Sequence, residues 1–314
     1  MRSVLYFIAA SLVLAAAGTP AQAAAGTRAR AAAGTPARAA PSPPARVTIL
    51  YDAFGDRPGL TPDWGFAALV EYGGHRILFD AGNDGGVFAR NVRALKVDLR
   101  HLDFAVISHR HGDHTGGLPY LLRINPTVKI YAPYERFGLF GGPVPTSIIR
   151  PDTALPRRMR YFAGAVPAQL RSSTVWPTAR FVTVDTLTEV APGIALVSTV
   201  SRTPGTLELH ELSLVLRTPK GLIVLVGCSH PGIETILDAA QAYGGHVHEI
   251  LGGFHLVATP DAEIQRIATA LHDARQLDLI APGHCTGEPA FDILARVFGD
   301  RYVYAGLGTV VQLT

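Results

Sequence analysis

The chain has 314 residues, with 28 basic and 25 acidic side chains and a formal net charge of +3. Five of the basic residues, and none of the acidic ones, lie in residues 1–46, so the rest of the chain carries 23 basic and 25 acidic side chains. This slightly acidic balance excludes a general nucleic-acid-binding surface, which needs a clear excess of positive charge. We expect a small-molecule substrate and no nucleic-acid partner.

Residues 1–23 have the pattern of a secretory signal peptide. One Arg precedes an apolar run from Val4 to about Ala17, and Ala21-Gln22-Ala23 fits an A-x-A cleavage site. An uncleaved membrane anchor is the alternative, but the run is short for a helix that spans a bilayer. We therefore expect an exported protein, periplasmic or secreted, with no stable membrane insertion after cleavage.

Residues 24–46 are rich in Ala, Pro and Thr and continue an eight-residue repeat that reads AAAGTPAQ, AAAGTRAR and AAAGTPAR. A segment without an apolar face cannot bury enough surface to fold by itself. We predict a disordered linker here, followed by one large catalytic domain at 47–314. Nearly half of the chain, 48%, is hydrophobic, which is sufficient for a sizeable core.

The first half of this domain is predicted to be mainly β-structure with two helices. Apolar runs bounded by Gly and Pro predict strands at 47–51, 66–72, 75–80, 104–108 and 128–131. Apolar residues at helical spacing predict helices at 87–95 and at about 116–123.

The strand at 104–108 leads into the hexapeptide His109-Arg110-His111-Gly112-Asp113-His114. Three imidazoles and one carboxylate at this spacing cannot share one face of a strand or of a helix. They can converge only on a turn that surrounds a common ligand. Imidazole nitrogen and carboxylate oxygen are the ligand atoms that zinc, manganese and iron accept. A solvated polar loop explains any single histidine, but it does not explain this combination.

Residues 133–180 interrupt the regular pattern with Pro, Gly, aromatic and charged residues, including seven Arg and two acids. Long irregular inserts beside a site are commonly lids, and we predict a lid here. The predicted substrate-binding residues are Arg157, Arg158, Tyr161 and Trp176, which suit an anionic substrate with a flat or apolar part. A solvated surface is the alternative for the arginines.

The last third alternates strands and helices. The predicted strands are 212–218, 221–226, 249–251, 279–280 and 303–313, and the predicted helices are 232–242, 261–275 and one that follows 287. Three of the buried strands end in small residues and a histidine, namely His230, His255 and His284. Because α/β sheets bind ligands beyond the carboxyl ends of their strands, we expect these histidines to share a metal centre with the hexapeptide.

These motifs resemble the metallo-β-lactamase superfamily, through the hexapeptide and the segment 77–82. The segments 227–232, 252–256 and 284–287 further resemble its dihydropterin synthase-like subgroup, named after 4-(β-D-ribofuranosyl)aminobenzene 5′-phosphate synthase. The likeness covers essentially all of 47–314. It implies an α/β fold, an αβ/βα four-layer sandwich of two mixed β-sheets.

The resemblance also implies two divalent metal ions, with zinc expected and manganese or iron as alternatives. It assigns His109, His111 and His230 to one ion, and Asp113, His114 and His284 to the other. The superfamily has a bridging carboxylate where this chain has Cys228, so Cys228 is a candidate ligand, with a redox-sensitive neighbour or plain packing as alternatives.

Further candidates for a place at or around the metals are His255, His210, Glu211 and Asp80. A disulfide between Cys228 and Cys285 is an open alternative for an exported protein. The remaining histidines lack such context and are expected at the surface: His75, His101, His246, His248 and His272.

A pair of metal ions makes hydroxide available at neutral pH. We therefore predict a hydrolase that uses a metal-bridged hydroxide on an ester, lactone or phosphoester-type substrate. Asp113 is the predicted catalytic residue, because it can both ligate and orient the nucleophile. The alternatives are a transferase of the kind that the subgroup's name implies, a di-iron oxidoreductase, and a metal binder without turnover.

Overall fold

The computed structural model describes residues 45–135, 140, 152–166, 176–202 and 208–314. The predicted signal peptide, residues 24–44 of the predicted linker and much of the predicted lid lie outside these residues. The described residues belong to one compact unit, Ser42–Thr314. Within them, no helix is both long enough and apolar enough to cross a membrane.

The described part of the chain forms two mixed sheets, the first of which has seven strands there. They are β1 (Arg46–Tyr51), β2 (Ala67–Tyr72), β3 (His75–Phe79), β4 (Phe104–Val106), β5 (Lys129–Pro133), β6 (Arg180–Val184) and β13 (Val310–Gln312). Their order in the sheet is β13-β1-β2-β3-β4-β5-β6. Strands β3 to β6 run parallel to one another, whereas β13, β1, β2 and β3 pair antiparallel.

The second sheet has six strands among the residues that the structure describes. They are β7 (Thr188–Ala191), β8 (Ile194–Ser201), β9 (Leu209–Thr218), β10 (Gly221–Val226), β11 (Val247–Gly253) and β12 (Leu279–Gly283). Their order is β12-β11-β10-β9-β8-β7. Strands β10, β11 and β12 are parallel, so their carboxyl ends reach the same edge of the sheet.

Within the described residues, six α-helices accompany the sheets. They are α1 (Gly85–Ala94), α2 (Gly112–Thr115), α3 (Leu118–Ile124), α4 (Ile233–Gln241), α5 (Asp261–Thr269) and α6 (Glu288–Phe298). A π-helical turn, Ala270–Ala274, continues α5. Apolar residues of α1 and α3 pack on the outer face of the first sheet, and those of α4, α5 and α6 pack on the outer face of the second.

The inner faces of the two sheets pack against each other. Side chains such as Ile49 and Phe79 of the first sheet share one buried cluster with Leu214 and Leu225 of the second. Burial of both faces of each sheet accounts for the nearly continuous apolar runs in the strand sequences. The four layers confirm the predicted αβ/βα sandwich.

Two local predictions are wrong. The predicted strand 303–313 is reduced to β13, because the backbone turns at Leu307 and Gly308, where Gly308 has a φ of 83° and its N–H donates to Ile49 O. His248, expected at the surface, is buried on β11, which lies between two other strands. Its Nε2 lies 3.2 Å from the Thr218 hydroxyl oxygen, which gives the buried ring a polar partner.

Gly116 allows the histidine turn to lie against the loop that joins β3 to α1. A Cβ at this position would be 1.7 Å from the Asn83 carbonyl oxygen, whereas a Cβ at Gly112 in the same turn would meet nothing within 4 Å. We expect Gly116→Ala to lower the free energy of unfolding by about 1–3 kcal/mol, as overpacking does. Gly112→Ala is the matched control and should lower it by no more than about 0.5 kcal/mol. Urea denaturation followed by circular dichroism measures both, and equal effects would contradict the close approach.

Candidate metal centre

The histidine turn lies at the carboxyl end of β4. The strand delivers Ser108 and His109 in buried positions, and α2 then carries Asp113 and His114. Two backbone hydrogen bonds tie α2 to the first sheet: Phe66 N donates to Asp113 O at 3.1 Å, and Ala81 N donates to His114 O at 2.8 Å. Helix α2 is therefore fixed to the sandwich at both of its candidate ligands, Asp113 and His114.

The second sheet contributes the remaining candidates from the carboxyl ends of its three parallel strands. Cys228 and His230 follow β10, His255 follows β11, and His284 follows β12. Because both sheets end here, the residues after β4 and those after β10 to β12 meet in one place. This convergence is what the α/β topology predicts.

The structure brings together the first predicted ligand set. His109 Nε2 lies 3.1 Å from His111 Nδ1. The ring centres of His109 and His230 are 4.9 Å apart, and those of His111 and His230 are 4.8 Å apart. The three imidazoles therefore surround one small volume.

The second predicted set forms a similar group. His284 Nε2 and His114 Nε2 lie 3.4 Å and 3.7 Å from Asp113 Oδ2. The ring centres of His114 and His284 are 5.0 Å apart. His114 also lies against His109, with ring centres 4.1 Å apart, so the two sets are adjacent.

Cys228 lies between the two sets. The ligand atoms of His109, Cys228 and His230 are all within 4.8 Å of one another, and so are those of His114, Cys228 and His284. The Cys228 Sγ atom is 3.2 Å from His114 Nε2. This thiol therefore occupies a position that two metal ions could share.

The chemistry of the donor atoms fits a cation. Nε2 of His230 and both ring nitrogens of His284 are buried without a hydrogen-bond partner in the described part of the chain. Burial and the neighbouring imidazoles lower the pKa of His230 to about 3 and that of His109 well below its usual value. Unprotonated nitrogen lone pairs that face one another suit a divalent metal ion.

Asp80 and Ser108 orient two of the imidazoles. The Asp80 carboxylate accepts hydrogen bonds from Ser108 N, Ser108 Oγ and His114 Nδ1, each at 2.7 Å. Burial alone would lower the pKa of His114, but the Asp80 carboxylate raises it to about 9. Since Ser108 donates to Asp80, its Oγ accepts from His109 Nδ1 at 2.9 Å. Both rings thus direct Nε2 to the centre.

Glu211 acts through the loop that follows β10. Its buried carboxylate accepts the backbone N–H groups of Cys228, Ser229 and His230 at 3.0, 2.7 and 2.9 Å. Burial raises the pKa of this carboxyl above its usual value. Glu211 is therefore placed to position Cys228 and His230.

Asp52 has the same function for His284, and sequence analysis missed it. Its carboxylate accepts the N–H groups of Phe54 at 3.0 Å and His284 at 2.9 Å. Burial raises the pKa of Asp52 to about 7. The signal in the sequence was its position directly after a strand, which Asp80 shares.

Other predicted residues lie around the cluster or outside it. His255 is exposed, with its ring centre 4.2 Å from that of His230. His210 does not join the cluster, since its Nε2 pairs with Glu208 Oε1 at 2.8 Å. Trp64, which we had not predicted, is 46% exposed and lies 5.2 Å from the ring centre of His284.

Among the described residues, no contact joins the predicted substrate-binding residues of the insert to the histidine cluster. Arg157 and Arg158 are exposed on a short 3₁₀ turn, and Arg157 Nε donates to Ala163 O at 3.2 Å. Trp176 stacks on Phe140 at 6.0 Å between ring centres. The side chain of Tyr161 lies outside the described residues.

The family model of the metallo-beta-lactamase superfamily matches residues 60–284. This span contains the hexapeptide, Cys228, His230 and His284. The chain belongs to the metallo-beta-lactamase superfamily.

Similarity to an individual protein supports this family assignment. The chain is 26% identical over 285 aligned residues to the Methanocaldococcus jannaschii protein 7,8-dihydropterin-6-methyl-4-(beta-D-ribofuranosyl)-aminobenzene-5'-phosphate synthase, which covers 80% of this chain and 92% of the relative. This match bears out the resemblance to the dihydropterin synthase-like subgroup.

Solved structures show the same fold. Tm1679, described as a metal-dependent hydrolase of the beta-lactamase superfamily, superposes with a TM-score of 0.62 at 26% identity, over 86% of this chain and 99% of that one. The metallo-beta-lactamase fold protein YhfI from Bacillus subtilis superposes with a TM-score of 0.53 at 14% identity, over 86% and 99% of the two chains.

The raised pKa of Asp52 gives a prediction for the metal-free protein. Between pH 3.8 and about 7, the folded state holds a proton on Asp52 that the unfolded state has released. This group therefore makes stability fall as the pH rises through that window. Asp52→Asn removes the titration, so its free energy of unfolding should rise relative to the parent, by up to about 1.4 kcal/mol per pH unit.

Urea denaturation in the presence of a chelator, repeated from pH 4 to 7.5, measures this difference. Asp103→Asn, at a half-exposed carboxylate, is the control and should follow the parent. A constant offset between Asp52→Asn and the parent at every pH would contradict the assignment.

Proposed function

We propose that the chain is a metal-dependent hydrolase with two divalent ions, acting on an ester, lactone or phosphoester-type small molecule. The observation that carries the proposal is the paired cluster, in which two groups of potential ligands share the Cys228 thiol. The Tm1679 relative, at 26% identity, is described as a metal-dependent hydrolase, which supports this reaction class.

One ion would be held by His109, His111 and His230, and the other by Asp113, His114 and His284, with Cys228 as a ligand shared by both. Imidazole and thiolate donors favour zinc over magnesium or calcium. When bound, such a pair of ions supplies Lewis acidity and lowers the pKa of water towards neutrality.

The remaining chemistry belongs to the side chains of this chain. Burial would raise the pKa of Asp113, but His284 and His114 hold it well below its usual value, so the carboxylate stays ionised. As a carboxylate near the centre of the cluster, Asp113 can accept a hydrogen bond from the attacking water and orient it. The hydrogen bonds of Asp80, Glu211 and Asp52 hold the surrounding ligands in position.

The exposed side of the cluster indicates where substrate would enter. His111, His255 and Trp64 are exposed around it. The indole of Trp64 beside His284 offers a surface on which a flat or apolar part of the substrate can pack. Arg157, Arg158, Tyr161 and Trp176 of the insert remain proposed contacts for an anionic group.

A synthase or transferase reaction at the same centre is the second candidate. It is favoured by the likeness to the M. jannaschii synthase, which extends over 92% of that protein. The two candidates differ in the acceptor, which is water for the hydrolase and a second organic substrate for the transferase. Both require the same ligands.

The first test is metal content. Full-length protein purified without chelator should contain close to two metal ions per chain by elemental mass spectrometry. His114→Ala and His230→Ala should each lose at least one of them. His101→Ala is the control, since this side chain is 81% exposed, and it should keep both. Unchanged metal content in His114→Ala and His230→Ala would overturn the ligand assignment.

The second test is turnover of the metal-loaded protein on a panel of ester, lactone and phosphodiester substrates, with and without a pterin or aminobenzene co-substrate. Hydrolysis that disappears in Asp113→Asn and in chelator supports the proposal. Product that forms only when the second organic substrate is present supports the transferase instead. A full metal complement with neither activity would contradict both.

Asp80 gives an independent prediction about metal affinity. Removing the carboxylate that holds His114 Nδ1 and Ser108 should weaken metal binding about 10–100-fold, which is the usual effect of losing such a partner. Competition with a chromophoric chelator measures the affinity of Asp80→Ala. Asp98→Ala, whose carboxylate pairs with Arg100 near the surface, should bind as tightly as the parent. Equal affinities for all three proteins would contradict the orienting role.

A further inference from the structure

The two cysteines of the chain meet beside the metal-ligand cluster. Cys228 and Cys285 are both free thiols, 3% and 2% exposed. Their Sγ atoms are 3.4 Å apart, and Cys285 Sγ is also 3.5 Å from the Cys228 carbonyl oxygen. Two buried thiols at this separation need only a small movement to bond, since a disulfide has a sulfur–sulfur distance of about 2.05 Å.

The two sulfurs can meet because β11, which lies between their strands, has no side chain at its end. Cys228 follows β10 and Cys285 follows β12, and β11 lies between these strands. At the end of β11, a Cβ on Gly253 would be 2.8 Å from Cys285 Sγ and 2.5 Å from the Gly227 carbonyl oxygen. The absence of a side chain at this residue lets one thiol reach the other across the intervening strand.

We propose that Cys228 and Cys285 are a reversible dithiol–disulfide pair, whose oxidation withdraws the Cys228 sulfur from the metal centre. The pairing itself follows from the geometry of the two thiols. Its effect on metal binding rests on the proposed function.

The oxidant would be a hydroperoxide. One thiol loses its proton and the thiolate attacks a peroxide oxygen, so that the oxygen–oxygen bond breaks and a sulfenic acid and hydroxide form. The released proton converts the hydroxide to water. The second thiol attacks that sulfur, forms the sulfur–sulfur bond and releases a second water. Two thiols and one hydrogen peroxide thus give one disulfide and two waters. A dithiol reductant returns the pair to the starting state.

Access of the peroxide to the thiols and metal binding by Cys228 both affect this oxidation. His255 is exposed, and its ligand atom lies within 4.8 Å of both sulfurs, so a small peroxide can approach from its side. The thiolate is the metal-binding form of cysteine, and a disulfide sulfur carries no charge. A metal ion on Cys228 should therefore protect the pair, and oxidation should in turn weaken metal binding.

The same three residues suggest a competing interpretation. Cys228, His255 and Cys285 form a third group of potential metal ligands. In that case Cys285 would itself bind metal, and its removal would lower metal content under reducing conditions. The metal content of reduced Cys285→Ser distinguishes these two roles of Cys285.

Full-length protein is stripped of metal with a chelator, reduced, and treated with one equivalent of hydrogen peroxide. The chain has two cysteines, so titratable thiols under denaturing conditions should fall from two to zero. The intact mass should fall by two hydrogen atoms, and peptide mapping should link residues 228 and 285. A phosphine reductant should restore both thiols. Thiols that persist, a disulfide between chains, or oxygen added to either sulfur would overturn the pairing.

Metal affinity is then compared between reduced and oxidised protein by competition with a chelator. We expect oxidation to weaken zinc binding by at least about 10-fold. Loss of a group that supports the metal ligands usually has an effect of this size. Cys285→Ser should bind zinc like the reduced parent and should form no disulfide within the chain when peroxide is added. Loss of zinc from reduced Cys285→Ser would overturn the proposal in favour of the third metal group.

These experiments test the disulfide and the metal centre independently of each other. If the reduced parent binds no zinc, the proposed function is wrong, while thiol counting still decides the pairing. If the disulfide forms and zinc affinity is unchanged, Cys228 is not a shared ligand and the proposed withdrawal of sulfur is overturned.

Discussion

The organisation of the site depends on an electrostatic constraint, the crowding of five imidazoles at the junction of the two sheets. Neighbouring rings of His109, His111, His114, His230 and His284 lie 4.1–5.0 Å apart between centres. Several of their nitrogens are buried and have no hydrogen-bond partner in the described part of the chain. Protonation of several neighbouring rings would add repulsion between them, and burial leaves the unpaired ring nitrogens unsatisfied, so the arrangement suits a bound cation.

Three buried carboxylates keep this crowded arrangement in place. Asp80 holds His114 and Ser108, Glu211 holds the backbone from Cys228 to His230, and Asp52 holds the backbone of His284. Each carboxylate lies on or directly after a strand and is shielded from solvent. Their burial costs free energy that the hydrogen bonds offset, which ties the geometry of the ligands to the folding of both sheets.

Much of this arrangement could be predicted from the sequence, for physical reasons. His109 to His114 are close in sequence, so their convergence follows from local geometry. His230 and His284 follow buried parallel strands, whose carboxyl ends must share an edge. The position of Cys228 between the two sets was an open alternative, because it depends on the twist and packing of the sheets.

The features that sequence reasoning missed depend on contacts between distant residues. The hydrogen bond from His284 N to Asp52 joins residues 232 positions apart. His248 is buried on a strand that lies between two others, and its partner, Thr218, lies on another strand. The turn at Gly308 depends on a hydrogen bond to β1. None of these pairings leaves a periodic pattern in the chain.

The most direct test of the account is an anomalous-scattering crystal structure of metal-loaded protein, with data collected on both sides of the absorption edge of the bound metal. We expect two peaks, one among His109, His111 and His230 and one among Asp113, His114 and His284, with Cys228 Sγ between them. A single peak, a peak outside these residues, or Cys228 directed away from both ions would contradict it.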